Sequence, residues 1–417
     1  MSKEKITIPE LRFPEFLNDK EWDEKAISQI GDTLNGLSGK KGEDFGSGRP
    51  YVQYKQVFDK SYIDFSECGK VNIDDNENQN ALQKGDILFT TSSETPNEVG
   101  FASVIIEEPT EPTYLNSFCF ILRPFDLKEI NPSFSRYLFH SPIYRKLVDA
   151  IAQGAIRYNL SKGAFLDLKL PVPKPNEQQK IASCLSSLDE VIAAQSQKLE
   201  LFKEHKKGLM QNLFPQEGVK LPKFRFMEFE KDGEWVETKL GDEATFINGR
   251  AYKQEELLEK GKYRVLRVGN FFTNNNWYYS DLELDADKYC DDGDLLYAWS
   301  ASFGPRVWKG EKVIYHYHIW KVLPNTNMSK DFLYVLLDNE TERMKTQNAN
   351  GFALLHITKG TIENWKCKIP KSKVEQQKIA SCLSSLDDLI NAQTEKIEQL
   401  KLHKKGLMQS LFPKIID

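Results

Sequence analysis

The sequence has 417 residues, 40% apolar, 12% aromatic and 28% charged, with a net charge of −5. That length admits two or three domains, while no apolar run approaches the roughly 18 residues of a membrane span and the opening MSKEKITIPE lacks the apolar core of a secretory leader. The acidic balance confines any nucleic-acid contact to local basic patches, and six cysteines without a Cys-x-x-Cys pair suggest neither zinc nor disulfides, so reduced cytoplasmic thiols are expected.

From the N-terminus, Pro9-Glu10-Leu11-Arg12-Phe13-Pro14-Glu15-Phe16 leads into Glu21-Trp22 and Ile30-Gly31-Asp32. Val52 to Phe58, Asp86 to Thr91, Phe101 to Ile106 and Ser117 to Leu122 are rich in β-branched and aromatic residues and read as strands. Phe134 to Ala152 reads as a helix with Tyr137, Leu138 and Leu147 on its apolar face. Leu160-Ser161-Lys162-Gly163 then precedes a long helical stretch, 177–215, that Pro215 ends because proline cannot donate to the ladder. Asn176 is placed to cap its start.

The second half answers the first. Pro222 to Phe229, Glu234-Trp235, Leu240-Gly241-Asp242, Gly293-Asp294-Leu295-Leu296-Tyr297 and Ile357-Thr358-Lys359-Gly360 recur in the same order. Strands are expected at Tyr263 to Val268, Asp294 to Trp299, Lys312 to Tyr317 and His318 to Leu323, and a helix at Asp331 to Thr346. The stretch 177–215 returns at 375–413 with 29 of 39 aligned positions identical, the first 13 without a break, with Ser372 as its candidate cap and Pro413 at its end. Between these landmarks the halves diverge almost completely.

Both long stretches carry apolar residues spaced four, three, four, three. In the first these are Ile181, Leu185, Leu188, Ile192, Leu199, Phe202, Leu209 and Leu213; in the second, Ile379, Leu383, Leu386, Ile390, Ile397, Leu400, Leu407 and Leu411. A stripe of 3.5-residue period is buried best against another such stripe, so the two helices are expected to pair. The alternative is that each packs on its own domain. Gln195/Gln393 and Lys206/Lys404 interrupt the seam, and polar residues at fixed places penalise slipped registers. They also fit a locally solvated stretch, and the lysine pairs Lys206-Lys207 and Lys404-Lys405 are open to contact with phosphates or a partner. The fold class is therefore α+β. Two mixed α/β domains, 1–176 and 216–374, alternate with two long helices, 177–215 and 375–417, that pair as an antiparallel coiled coil.

This order resembles the DNA-specificity subunits of type I restriction–modification systems. The residues that carry the likeness are the two EQQKIASCLSSLD helices, the paired RFPEF and RFMEF openings, and the Gly-Asp-Ile-Leu and Gly-Asp-Leu-Leu strands. The resemblance implies that each variable domain is a target-recognition domain reading one half of a bipartite sequence in double-stranded DNA. It further implies that the helices set the gap, dock two methyltransferase subunits and bring restriction subunits into the complex. Catalysis would then lie in partners using S-adenosylmethionine, ATP and Mg²⁺, with no cofactor in this chain. Physical scale agrees: about 35 helical residues span about 50 Å, more than the roughly 34–36 Å of one DNA turn. The rival reading is a coiled-coil scaffold that binds proteins and never reads DNA.

Polar and aromatic loop residues are the DNA candidates, because arginine, asparagine, glutamine and lysine reach base edges while hydroxyls hold phosphates. In the first domain these are Lys40, Lys41, Arg49, Thr90, Thr91, Ser92, Ser93, Asn97, Arg157, Tyr158 and Asn159. In the second they are Arg250, Tyr252, Lys253, Arg267, Asn270, Trp299, Ser300, Ser302 and Arg306. Catalytic signatures are missing. There is no P-loop, and Asn131-Pro132-Ser133-Phe134 lacks the second proline of an amino-methyltransferase motif and reads as a helix start. His316 and His318 share a strand face but have no third ligand in view, so a structural or partly exposed pair is expected. Cys184 and Cys382 lie beside the seam as small packing residues.

Overall fold

A computed structural model describes residues 8–74, 76–95, 98–152, 154, 158–272, 275–300, 303–348 and 357–414. The chain divides into two compact units, one made of 1–196 with 395–417 and the other of 197–394. Each long helix is thus shared, its first half belonging to one unit and its second half to the other.

The first unit is built on an antiparallel sheet in the order Gly31–Asn35, Cys119–Pro124, Ile87–Thr90, Ala102–Val104. Side chains of successive strand residues point to opposite faces, and the strand Ile87–Thr90 is apolar on both. Ile87 and Phe89 enter the core beneath the helices with Phe120, Leu122, Phe134 and Phe165. Leu88 enters a second core with Ile121, Val52 and Leu115, under a smaller sheet of Gly69–Val71, Phe45–Val52 and Tyr114–Leu115. A two-stranded pair, Asp23–Ala26 with Lys169–Val172, leads into the first long helix.

The second unit repeats this plan. Its sheet runs Ala244–Asn248, Ile319–Pro324, Leu295–Ala298, Gly304–Val307, with Tyr278–Ser280, Tyr263–Leu266, Val313–Tyr315 and Tyr289–Cys290 in the smaller sheet. Val236–Lys239 pairs with Lys366–Ile369. The Gly-Asp landmark is explained by its turn. Gly85 and Gly293 take φ of +91° and +84°, a region that favours glycine. Asp86 and Asp294 then accept the amides of Gln83 and Asp291, both at 2.8 Å. Asp86 also holds Arg123 in two bonds of 2.8 and 2.7 Å, and Asp294 holds Lys321 at 2.6 Å.

Three local expectations are corrected. The strand expected to Phe58 ends at Val52, and Tyr54–Asp59 is a helix closed by the Gln56 side chain accepting the Gln53 amide, with Tyr54 stacked on Phe58 one turn away. The helix expected from Phe134 to Ala152 is two helices, Pro132–Leu138 and Pro142–Ile151, because Pro142 cannot continue the ladder and Ser141 caps the second helix. Asn131 does cap the first of them, accepting the amides of Ser133 and Phe134. Lastly, the first long helix starts at Pro175, a favoured first position, which places Asn176 inside the first turn instead of at the cap.

The long helices run Pro175–Leu213 and Lys373–Ser410, the second begun by Ser372, whose hydroxyl accepts the Glu375 amide at 3.4 Å. Within each unit the start of one helix packs against the end of the other, so their pairing is antiparallel. Ile181 and Leu185 meet Leu407, Met408, Leu411 and Phe412 in the first unit, and Ile379 and Leu383 meet Leu209, Met210, Leu213 and Phe214 in the second. The same clusters contain Trp22 with Phe134 and Trp235 with Phe332, so the helices pack on their domains as well as on each other. Every apolar seam position is buried or half-buried. Lys206 reaches Asp387 at 2.7 Å and Lys404 reaches Asp189 at 2.5 Å, the same two repeat positions with their roles exchanged. An equivalent segment is bonded to the end of each helix: in the second unit the Phe224 amide donates to the Asn212 carbonyl at 2.9 Å. In the first unit the Leu11 amide donates to the Ser410 carbonyl at the same distance.

Candidate nucleic-acid interface

In each unit the main-sheet strand that follows the Gly-Asp turn ends at a small backbone junction. In the first, the Thr91 amide donates to the Phe118 carbonyl at 3.0 Å and the Leu160 amide to the Thr91 carbonyl at 2.9 Å. In the second, the Trp299 amide donates to His318 at 3.1 Å and Ile357 to Trp299 at 3.0 Å. The junction ties together three segments far apart in sequence: the end of the strand, the turn before the neighbouring strand, and the segment leading towards the long helix. The scaffold is shared, and the side chains it displays are not.

Several candidate residues are used within the fold. Thr90 is fully buried and its hydroxyl accepts the Phe101 amide at 3.0 Å. Ser92 and Ser93 are buried in a two-residue strand paired with Tyr158–Asn159, and Ser93 donates to Glu98 at 2.9 Å. Lys40 is ion-paired to Glu77 with little exposure. Arg250 makes two bonds to Glu256, at 2.9 and 2.7 Å, which also draw that carboxyl down to about 2. Ser300 is buried, and the Trp299 indole donates to the Tyr317 carbonyl at 2.8 Å.

Others stand at the surface. Lys41, Asn159 and Lys253 are exposed, Thr91, Tyr158 and Asn270 half-buried, and Arg49 lies 3.6 Å from Glu111. Asn270 donates to the Asn276 carbonyl at 2.7 Å. Arg267 lies over the ring of Tyr278 at 4.2 Å, with half-buried Tyr252 in the same unit stacked on His316. Asn97, Arg157 and Ser302 fall outside the described residues. Arg306 lies over Phe272 and lines a cleft of about 760 Å³ whose walls include Asp331, Asp338, Asp387 and Asp388. In the first unit a cleft of about 610 Å³ around Lys404 is lined instead by Lys60, Arg136, Arg145, Lys401 and Lys405.

That contrast has a local origin. In the first unit Arg136 and Lys404 both bind Asp189, at 2.8 and 2.5 Å, and Tyr137 donates to the same carboxylate at 2.8 Å. In the second, Lys206 alone lies between Asp387 at 2.7 Å and Asp338 at 3.7 Å. Burial pushes the Asp338 carboxyl up, opposed by Lys206.

The sequence reading missed a clamp at the start of each long helix. Arg12 grips Glu177 in two bonds of 2.7 Å and donates to the Asp19 carbonyl. Arg225 grips Glu375 at 2.8 and 2.9 Å and donates to the Gly233 carbonyl, while Trp235 adds its indole at 3.2 Å. The next residues, Gln178 and Gln376, donate to the Pro173 and Pro370 carbonyls and accept the amides of Asn131 and Ser329. The unbroken EQQ identity was the available signal, since polar residues buried at a helix start must each be satisfied. Among the described residues no group of three or more histidine, cysteine, aspartate or glutamate side chains is placed to hold a metal, and no helix is long and apolar enough to cross a membrane.

Comparison with known proteins gives a consistent result. The model of the type I restriction modification DNA specificity domain matches twice, at residues 19–203 and 232–402. A putative type I restriction enzyme MjaX specificity subunit of Methanocaldococcus jannaschii is 26% identical over 405 residues, 94% of this chain and 93% of the relative. The MjaVIII specificity subunit of the same organism is 25% identical over 293 residues, 66% and 68% of the two chains. In fold the chain is similar to the S subunit of a type I restriction–modification system from M. genitalium, with a TM-score of 0.56 at 17% identity over 98% of this chain and 100% of that one. A second structure, from work on complex assembly and conformational transition of the type I system, aligns with a TM-score of 0.60 at 15% identity over 94% and 97%.

Proposed function

We infer how this chain works from the family to which it belongs, that of the type I restriction–modification DNA specificity proteins. Its function is DNA sequence recognition within a type I complex. Each unit reads one half of a bipartite target, and the antiparallel helices fix the gap and dock two methyltransferase subunits in the cytoplasm. The chain itself is non-catalytic; methyl transfer, cleavage and translocation belong to partners that use S-adenosylmethionine, ATP and Mg²⁺. The observation that carries this reading is the pairing of one repeated scaffold with two different sets of displayed side chains. Two related but unlike ligands need that combination, and two halves of an asymmetric DNA site are such ligands.

The test combines the purified chain with its methyltransferase partner and a random-sequence DNA library. A bipartite consensus should emerge from the methylated fraction, and the chain alone should transfer no methyl group from S-adenosylmethionine. Partner binding with no selected sequence would leave a protein scaffold as the function.

A further inference from the structure

The turn that enters the second strand of each main sheet is built the same way from unlike residues. In the first unit the Asn116 carboxamide oxygen accepts the Phe118 amide at 2.8 Å, and the Asn116 carbonyl accepts Cys119 at 3.1 Å. In the second unit His316 replaces the asparagine: its Nδ1 accepts the His318 amide at 3.4 Å and its carbonyl accepts Ile319 at 2.9 Å. An asparagine oxygen two residues back is the usual closure of such a turn, and a neutral imidazole nitrogen can stand in for it. Burial holds His316 down to about 4, so at neutral pH the ring is in the form that accepts. Both turns start from the smaller sheet, through Asn116 to Val52 and His316 to Leu266.

The tips carried on this common frame differ. The first presents Ser117 and Phe118, the latter 55% exposed; the second presents Tyr317, 38% exposed, and His318, with Trp299 against both rings at 5.9 and 4.9 Å. Each tip is bonded to the residue just after the Gly-Asp strand, Thr91 or Trp299. A rigid turn that preserves its closure and exchanges an apolar ring for a phenol and an imidazole is placed to discriminate between ligands. Phenylalanine suits the thymine methyl group in the major groove, whereas tyrosine and histidine suit hydrogen-bonding base edges.

We propose that the turns 116–118 and 316–318 are the specificity-determining elements of the two units, with Phe118 and Tyr317–His318 contacting base edges of their respective half-sites. This rests on the reading that each unit recognises half of a bipartite DNA target. The assay uses the full chain with its methyltransferase partner and sequences methylated DNA selected from a random library. Phe118→Ala should relax one or two positions of one half-site and leave the other half-site intact. Tyr317→Ala and His318→Ala should do the same to the opposite half. Losing a good base contact should cost about 5- to 150-fold in discrimination. Thermal melts of each variant separate lost recognition from lost folding, and the exposure of Phe118 and Tyr317 predicts unchanged melting.

An unaltered consensus in folded Phe118→Ala and Tyr317→Ala would overturn the assignment, as would an equal loss of affinity for all sequences, the mark of a backbone contact. If the wild-type complex itself selects no sequence, the DNA-reading function fails instead.

Discussion

Replacing Arg12 by methionine isolates what the clamp contributes. The Arg12 and Glu177 side chains are only 6% and 2% exposed, so the substitution leaves a carboxylate out of reach of water with both of its guanidinium bonds removed. Breaking a buried ion pair from one side costs about 3–5 kcal/mol. The matching change, Arg225→Met, should cost less, because Glu375 keeps the Trp235 indole at 3.2 Å while the Trp22 indole nitrogen is buried with no hydrogen-bond partner among the described residues. A hydrogen bond to a charged group is worth about 1.5–3 kcal/mol, and that is the expected difference. Arg12→Met with Glu177→Leu removes both charges and should recover most of the loss, since apolar replacement of a buried pair is often neutral. Hydrogen exchange on the full chain, followed over peptides from the starts of the two long helices, reads the local opening free energy at each clamp. Equal losses in the two single variants would refute the reasoning about the indole. A double variant no better than Arg12→Met would refute the uncompensated charge as the cause.

Three further outcomes are expected. Lys404→Asp places two carboxylates together at Asp189 and should destabilise the helix pairing, and Lys404→Asp/Asp189→Lys should restore part of it. The coupling in a double-mutant cycle should be about 1 kcal/mol for this half-buried pair, and no coupling would remove its role in fixing register. For His316, a folded value of about 4 below an unfolded value of about 6.5 means that its contribution is complete above pH 6.5 and is lost as pH falls towards 4. The stability of the wild type relative to His316→Asn should therefore decline across that window, and a pH-independent difference would contradict the buried neutral imidazole. Inserting seven residues between Gln195 and Phe202 preserves the heptad phase and lengthens the helix by about 10.5 Å. At about 3.4 Å per base pair the gap selected between half-sites should grow by about three base pairs, and an unchanged gap in an active complex would show that helix length does not set it.

The repeat, the seam and the inner strands were legible because each leaves a periodic apolar signature. The helix Tyr54–Asp59 was not, since its Gln53–Gln56 closure lies between aromatic and β-branched residues that equally suit a strand. The clamp escaped notice because Arg12 and Glu177 are distant in sequence and nothing local marks them as partners. Residue type also could not say which polar loop side chains turn inward: the Thr90 hydroxyl is engaged by the Phe101 amide, while neighbouring Thr91 remains half-buried. The turns at Asn116 and His316 share no sequence, and only the position of one acceptor atom makes them equivalent.

The bond from Leu11 to Ser410 joins segments at opposite extremes of the described chain, whereas its twin from Phe224 to Asn212 joins segments separated by one short connection. The surrounding packing is duplicated too, with Phe412 against Trp22 at 6.1 Å and Phe214 against Trp235 at 5.9 Å. One unit therefore holds this segment against the helix end by non-covalent contact where the other also has the peptide link. That link, across residues 216–221, is mechanically redundant. Its hydrolysis by a protease should leave two fragments that migrate together under native conditions and part only when denatured, and a sequence encoded as two separate polypeptides split there should assemble into the same recognition particle.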